Sequence, residues 1–170
     1  MTWQGCNISV NLRGFPNKSL RFLAFYLEMK KVTAAVVMID NDGNILGCHG
    51  TGKPKDYGFD FPKGEVEKGE EDIDAAIREL REETSFILSK DSLIDIGVYP
   101  HNNKKDIHLF LCKMKELPNP QYLKCDSFFE ANGKQIPEVD FYEIISKENR
   151  KKFNMVLQNK FEIIDEKLGN

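Results

Sequence analysis

Cysteine is scarce in this sequence, with four residues among 170, and none of them forms a C-x-x-C pair. Cys6, Cys48, Cys112 and Cys125 are far apart and have no histidine at metal-ligand spacing. This pattern argues against a disulfide scaffold and against a zinc site built on thiolates. We expect buried thiols in a reducing cytoplasm.

Long hydrophobic runs are also missing, since no stretch approaches the roughly 18 apolar residues of a membrane span. The longest apolar run near the N-terminus, residues 20–27, is interrupted by Arg21 and has no small-residue cleavage site after it. Such a run makes a poor signal peptide. The sequence therefore predicts a cytoplasmic protein with no membrane partner.

No charge of one sign dominates, because the formal net charge is −3. A protein that follows the backbone of a DNA duplex carries a marked basic excess, which this chain lacks. A nucleotide ligand is therefore expected to be small, or to be held at one end, as an RNA 5′ end could be. A length of 170 residues suits one domain with one core.

Two hairpins are predicted between residues 32 and 114. An apolar run at 32–39, the turn Asp42-Gly43 and a second run at 45–48 indicate the first hairpin. Residues 94–99 and 107–114 indicate the second, and 51–58 form a polar loop. A further strand is predicted at 141–145, whereas strand bounds between 117 and 137 are not fixed by the pattern.

Two helices complete the α+β pattern. Apolar residues at helical spacing predict a helix over Asp72–Thr84. Ser146 can cap a C-terminal helix that packs on the sheet through Phe153, Val156, Leu157, Phe161, Ile164 and Leu168. We expect one domain over residues 29–170. Residues 1–28 are an N-terminal extension: an arm, a packed strand, or an upstream artefact of start-site choice.

One group of residues at fixed spacing indicates a catalytic site. It consists of six residues of specified type, Gly64, Glu70, Arg78, Glu79, Glu82 and Glu83, together with the apolar Leu80 and Phe86. The six specified types at such offsets should coincide by chance only about once in 10⁷ starting positions. The segment resembles the Nudix box, G-x5-E-x7-R-E-U-x-E-E-x-G-U with U a bulky apolar residue. It departs from the box at Ser85, where the family has glycine.

The residues themselves point to a metal. Glu79, Glu82 and Glu83 lie at i, i+3 and i+4, so they share one face of the predicted helix. Three carboxylates this close repel one another unless a cation neutralises them, and Mg²⁺ prefers oxygen ligands. Arg78, four residues before Glu82, can fork onto that carboxylate and fix its rotamer.

The resemblance implies a Nudix fold, a mixed sheet sandwiched between helices. It also implies hydrolysis of a phosphoanhydride bond in a compound linked to a nucleoside diphosphate, with Mg²⁺, or alternatively Mn²⁺, as cofactor. Glu79, Glu82 and Glu83 would bind the metal together with the carbonyl of Gly64. Arg78 would orient the cluster, and Glu79 could act as ligand, as base, or as both.

Four residues outside the acidic set need separate expectations. Family members often take a further acid from a late loop, for which Glu130 and Glu138 are the candidates; either could equally be a solvated loop glutamate. Ser85 is expected in a left-handed conformation just past the helix, which should cost about 1 kcal/mol without removing a ligand. Glu70 should favour the helix dipole or pair with a nearby base.

The sequence indicates the substrate less specifically than it indicates the family. The Phe-Pro-Lys-Gly sequence at 61–64 resembles Nudix members that hydrolyse dinucleoside polyphosphates, diphosphoinositol polyphosphates or mRNA caps. Pro100 lies near where ADP-ribose hydrolases tend to carry a proline, although a proline that ends a strand needs no special explanation. The predicted substrate contacts are lysines on phosphate and aromatic rings on a base: Lys53, Lys55, Lys63, Tyr57 and Phe59.

Alternatives remain open at this point. ADP-ribose, a nucleotide sugar or a nucleoside triphosphate could be the substrate, and an inactive Nudix-like nucleotide-binding module is a different class of answer. An acidic helix used as a protein interaction surface would not need Gly64 or Arg78 at their offsets. His49, His101 and His108 show no metal-ligand spacing. The chain could be a monomer or a homodimer.

Overall fold

The computed structural model describes residues 30–54 and 56–169. Its strands are β1 (Lys31–Ile39), β2 (Ile45–Gly50), β3 (Lys63–Glu65), β4 (Ile94–Pro100), β5 (Lys105–Lys113), β6 (Phe128–Ala131), β7 (Lys134–Pro137) and β8 (Val139–Ile145). Its α-helices are α1 (Asp72–Thr84), α2 (Met155–Gln158) and α3 (Phe161–Leu168). Short 3₁₀ helices span Lys90–Ser92, Pro120–Tyr122 and Lys147–Lys152.

Strand β1 is the centre of the sheet. The described residues form a six-stranded mixed sheet in the order β4-β5-β1-β2-β8, with β3 paired to β1. Strand β1 runs parallel to β5 and antiparallel to β2 and β3. Its residues 34–39 are buried on both faces, which explains the unbroken apolar run in the sequence. Strands β6 and β7 form a separate hairpin.

Successive side chains of β1 enter two different cores. Ala35, Val37 and Ile39 pack with Phe153, Leu157, Phe161 and Ile164, the apolar residues of the C-terminal segment. Ala34, Val36 and Met38 pack with Ala75, Ala76 and Leu80 of α1. The sheet is therefore a layer between α1 and the C-terminal helices, and the predicted α+β sandwich is confirmed.

Strands β2 and β3 share one edge of β1. The carboxyl end of β1 pairs with β2 at Ile39 and Ile45, whereas its middle pairs with β3 at Ala35 and Lys63. Because β2 diverges from β1, the chain before β3 fits between them and forms a bridge from Asp60 to Cys48. This arrangement brings β3 beneath α1 and sets the position of the candidate site.

The last turn of α1 ends at Ser85, as the sequence predicts. Ser85 adopts a left-handed conformation with φ 58°, and its N–H donates to the carbonyl of Arg81 at 2.7 Å. Its hydroxyl lies 2.9 Å from both the carbonyl of Lys124 and Oδ2 of Asp126. The serine therefore has hydrogen bonds that a glycine could not make.

The predicted C-terminal helix is wrong in its extent. Ser146 precedes a 3₁₀ helix and makes no capping bond to a backbone N–H. Asn154 caps α2 instead by accepting from the N–H groups of Val156 and Leu157, and the helix stops at Asn159 before α3 begins. The segment thus bends over the sheet, which leaves Met155 and Val156 exposed, whereas the other apolar residues predicted for this helix face the core.

The structure also bears on the cysteines and on the membrane-span prediction. The free thiols of Cys48 and Cys112 are buried and that of Cys125 is partly buried. No helix in residues 30–54 or 56–169 is long and apolar enough to cross a membrane. Cys6 and the predicted extension at 1–28 lie outside the described residues, so the domain bounds stay a prediction.

Ser85 gives a test of this helix end. Ser85→Ala should lower the free energy of unfolding by about 1 kcal/mol, because the strain stays while the hydroxyl bond is lost. Ser85→Gly should change the free energy of unfolding by less than about 0.5 kcal/mol. Glycine relieves the backbone strain, and this gain offsets two losses: the missing hydroxyl hydrogen bond and the greater conformational freedom of the unfolded chain. Urea unfolding measures both variants. An alanine variant as stable as the wild type would contradict this account.

Candidate active site

Glu83 is buried beneath the end of α1 and faces β3. The backbone N–H of Lys63 donates to its Oε2 at 3.0 Å. Burial raises the pKa of Glu83 to about 8, the charges of Glu79 and Glu138 add to the rise, and the Lys63 ammonium opposes it. Because the site offers this carboxylate little water, its charged form needs a cation.

Glu79 lies against Gly64, where a side chain would not fit. A Cβ built on Gly64 would stand 2.0 Å from Cδ of Glu79, far inside contact distance. The pKa of Glu79 is raised by burial and by the charges of Glu82 and Glu138, although Arg78 opposes the rise. The glycine is therefore a steric requirement of the site.

Arg78 is the centre of an ion-pair network. Its Nε and Nη2 lie 2.9 Å from the two carboxylate oxygens of Glu70. Its Nη1 lies 2.6 Å from Oε1 of Glu79 and 3.3 Å from Oε2 of Glu82, and Nη2 donates to the carbonyl of Glu65 at 3.1 Å. The predicted contact with Glu82 is present, but the forked bond goes to Glu70.

Glu70 therefore fixes the arginine. Its Oε2 also accepts from the N–H of Glu67 at 3.0 Å, and the hydrogen bonds from Arg78 lower the pKa of Glu70. Eight residues separate the two partners, and the loop before α1 brings them together. The sequence expectation of a pairing with a base did not identify Arg78 as the partner, because the spacing within a helix gives no information about this loop.

Glu138 lies near the acidic cluster. The carbonyl of Glu82 accepts from the N–H groups of Asp126 and Ser127 at 2.6 and 3.1 Å, and the carbonyl of Ser127 accepts from Glu138 N–H at 2.9 Å. This chain of contacts brings the exposed Glu138 to the cluster, where its charge raises the pKa of Glu79 and Glu83. The other candidate, Glu130, is an exposed residue of the separate hairpin.

The donor set fits a hard cation held with water. No three histidine, cysteine, aspartate or glutamate side chains in the described part of the chain surround one point. Mg²⁺ commonly binds through one or two carboxylates and keeps several waters. Glu79 and Glu83 supply two buried carboxylates of raised pKa, and Glu82 and Glu138 lie close enough to act on their charge. Their chemistry suits Mg²⁺ or Mn²⁺.

The predicted phosphate lysines differ in their surroundings. The ammonium of Lys63 lies 3.1 Å from Oδ2 of Asp60. Burial opposes its charge, but Asp60 and Glu83 outweigh that effect and raise the pKa of Lys63. Lys53 is exposed, with Nζ 4.8 Å from the ring centroid of Tyr57. Lys55 lies outside the described residues.

The predicted aromatic contacts lie together. Tyr57 and Phe59 line a groove of about 350 Å³ with Lys152 and Met155. Phe59 also packs against Phe141, with ring centroids 6.1 Å apart. Both predicted aromatics thus border a groove on the surface.

Known proteins match this chain in sequence and in fold. Residues 29–150 match the sequence model of the NUDIX domain. The chain is 34% identical over 128 residues to an uncharacterized 17.7 kDa protein in the e-segB intergenic region of Enterobacteria phage T4, covering 70% of this chain and 84% of the phage protein. It is 29% identical over 152 residues to the m7GpppN-mRNA hydrolase dcap-2 of Caenorhabditis elegans, covering 84% of this chain.

The chain spans only 17% of that decapping relative. Among solved structures, a C. elegans Ap4A hydrolase in a binary complex has a TM-score of 0.55 at 19% identity, covering 79% of this chain and 98% of that chain. This likeness shows the fold. With the domain match and the complete acidic set, it leads to one conclusion: the chain belongs to the Nudix family and is a Nudix hydrolase.

Proposed function

We propose that this hydrolase cleaves a polyphosphate bridge between two nucleosides, as in a dinucleoside polyphosphate or a capped RNA 5′ end, with Mg²⁺ as cofactor and Mn²⁺ as the alternative. The observation that carries the proposal is the buried pair Glu79 and Glu83 at Gly64. Two carboxylates of raised pKa next to a glycine that makes room for them form a site suited to a divalent cation.

The chain's own residues have distinct roles in this proposal. Glu79, Glu82 and Glu83 hold the cation together with the carbonyl of Gly64, and Arg78 fixes their rotamers through its contacts with two of them. A bound divalent ion supplies Lewis acidity and lowers the pKa of a coordinated water.

Proton transfer needs a carboxylate that is not fully engaged as a ligand. Glu138 is exposed and acts electrostatically on the buried pair. It is therefore the residue that we propose to accept the proton of the attacking water, because a general base must lie within reach of the nucleophile and of solvent. Glu79 remains the alternative base that the family resemblance suggests.

The substrate class rests on the relatives and on charge. The decapping relative is named for m7GpppN-mRNA and the structural neighbour for Ap4A; both names describe nucleosides joined through phosphates. Exposed Lys53 adds a positive charge for a phosphate chain longer than a diphosphate. Pro100 pairs with Asp106 at the end of β4. Its place at a strand end explains this proline without an ADP-ribose substrate.

The proposal also includes a cytoplasmic location and an active enzyme. The free thiols of Cys48, Cys112 and Cys125 are in keeping with the cytoplasmic location that we propose. The complete acidic set favours an active enzyme over an inactive nucleotide-binding module, which would need no buried pair of carboxylates.

Gly64→Ala tests the site directly. The added Cβ would displace the carboxylate of Glu79, so turnover should fall on the order of 10²-fold or more, as for an ångström-scale misplacement of a reacting group. Steady-state hydrolysis of diadenosine tetraphosphate with saturating Mg²⁺ measures the effect.

Gly69→Ala is the matched control. Nothing lies within 4 Å of a Cβ at Gly69, although its φ of +86° disfavours a side chain. This variant should lose about 1 kcal/mol of stability while turnover stays near that of the wild type. Equal loss of activity in both variants, or none in Gly64→Ala, would contradict the proposed geometry.

The substrate proposal predicts an order of preference. The value of kcat/KM for diadenosine tetraphosphate or capped RNA should exceed that for ADP-ribose by about tenfold or more, because one charge-assisted contact contributes about 1.5 to 3 kcal/mol. Lys53→Ala should narrow the difference, whereas Lys167→Ala, on α3, should not. Faster cleavage of ADP-ribose, of a nucleotide sugar or of a nucleoside triphosphate in parallel assays would overturn the substrate class and leave the family assignment intact.

A further inference from the structure

Two buried polar atoms at the end of β2 have no hydrogen-bond partner. Among the described residues, four side-chain atoms share this property, and two of them, His49 Nε2 and Thr51 Oγ1, are two residues apart. The other two belong to His101 and Arg150. A buried polar atom without a partner costs about 1 to 3 kcal/mol, a cost that a ligand group or a water molecule would offset. We refer to the end of β2 that carries His49 and Thr51 as the corner.

The chemistry of the two atoms is defined by their neighbours. His49 Nδ1 lies 2.8 Å from Oδ1 of Asp140. With the Asp140 carboxylate as acceptor, Nδ1 donates, and Nε2 of a neutral imidazole offers a lone pair. The Thr51 hydroxyl can donate or accept. Together they match a molecule that presents a hydrogen-bond donor beside an acceptor.

Flat apolar surfaces border this corner. The ring of Phe59 stands edge-on to His49, with centroids 6.1 Å apart. Phe141 lies 6.1 Å beyond Phe59 and is 55% exposed. Aromatic rings beside a donor and acceptor pair are suited to a planar heterocycle.

A single residue connects the corner with the acidic site. The N–H of Thr51 donates to the carbonyl of Glu138 at 2.9 Å. The carboxylate of the same Glu138 acts on Glu79 and Glu83. A ligand that reaches both places therefore has a heterocycle at one end and a negatively charged group near the cation at the other.

We propose that His49 and Thr51 recognise the base of the substrate nucleotide, with Phe59 and Phe141 as its apolar walls. This inference rests on the proposed function in one respect, that the substrate contains a nucleoside. His49 Nε2 accepts from an amino or ring N–H, and Thr51 Oγ1 bonds the adjacent acceptor. Asp140 is a positioning residue that holds the imidazole in the required tautomer.

The test measures binding without catalysis. AMP, GMP, CMP, UMP and ribose 5-phosphate, which lacks a base, are titrated by calorimetry into the full chain with a chelator present. At least one nucleotide should bind about tenfold more tightly than ribose 5-phosphate. His49→Ala and the nearly isosteric Thr51→Val should each weaken the binding of that nucleotide by about tenfold and leave the binding of ribose 5-phosphate unchanged. Phe128→Ala, an exposed aromatic of β6, is the control and should bind as the wild type does.

The contradictory outcomes are specific. If all four nucleotides bind no better than ribose 5-phosphate, or if folded Thr51→Val and His49→Ala bind as the wild type does, the corner holds water only and the proposal is wrong. Hydrolysis of diadenosine tetraphosphate is measured in parallel. An active enzyme that does not discriminate bases overturns this inference alone, whereas base binding without Mg²⁺-dependent hydrolysis overturns the proposed function alone.

Discussion

Two carboxylates, those of Glu79 and Glu83, are held in the interface between α1 and β3, where burial raises the pKa of each. Their burial is the constraint on which the surrounding structure depends. Gly64 leaves out a side chain so that Glu79 fits, the Lys63 N–H donates to Glu83, and Arg78 contacts Glu79. A divalent cation would remove the remaining unfavourable charge, so the same feature that destabilises the metal-free protein prepares it for binding.

The fold supplies the rigidity that such a site needs. Because β1 is buried on both faces, it fixes β3 on one edge and supports α1 from below. The end of α1 is anchored from the other side, where Glu82 and Ser85 contact the segment at 124–127. That segment also contacts Glu138. The contacts that hold the end of α1 therefore place the exposed Glu138 near the site.

The features that the sequence predicts correctly have local determinants. Helical spacing gave the bounds of α1, and the left-handed Ser85 followed from its place after the helix. The sequence did not reveal the fork between Arg78 and Glu70, or that Glu138 and not Glu130 lies near the acidic cluster, because both depend on how separate segments meet. The break between α2 and α3 was missed because a capping Asn154 and a continuous helix share the same apolar spacing.

Proton release on metal binding tests the central claim most directly. Mg²⁺ is titrated into the protein by calorimetry in two buffers of different ionisation enthalpy, from about pH 6 to about pH 10, which gives the number of protons released. With a Glu83 pKa of about 8, the wild type should release close to one proton near neutral pH and almost none at the alkaline end. Glu83→Gln should bind Mg²⁺ more weakly and lack this release. Tight binding by the wild type with no proton release at any pH, or an unchanged release in Glu83→Gln, would contradict the account.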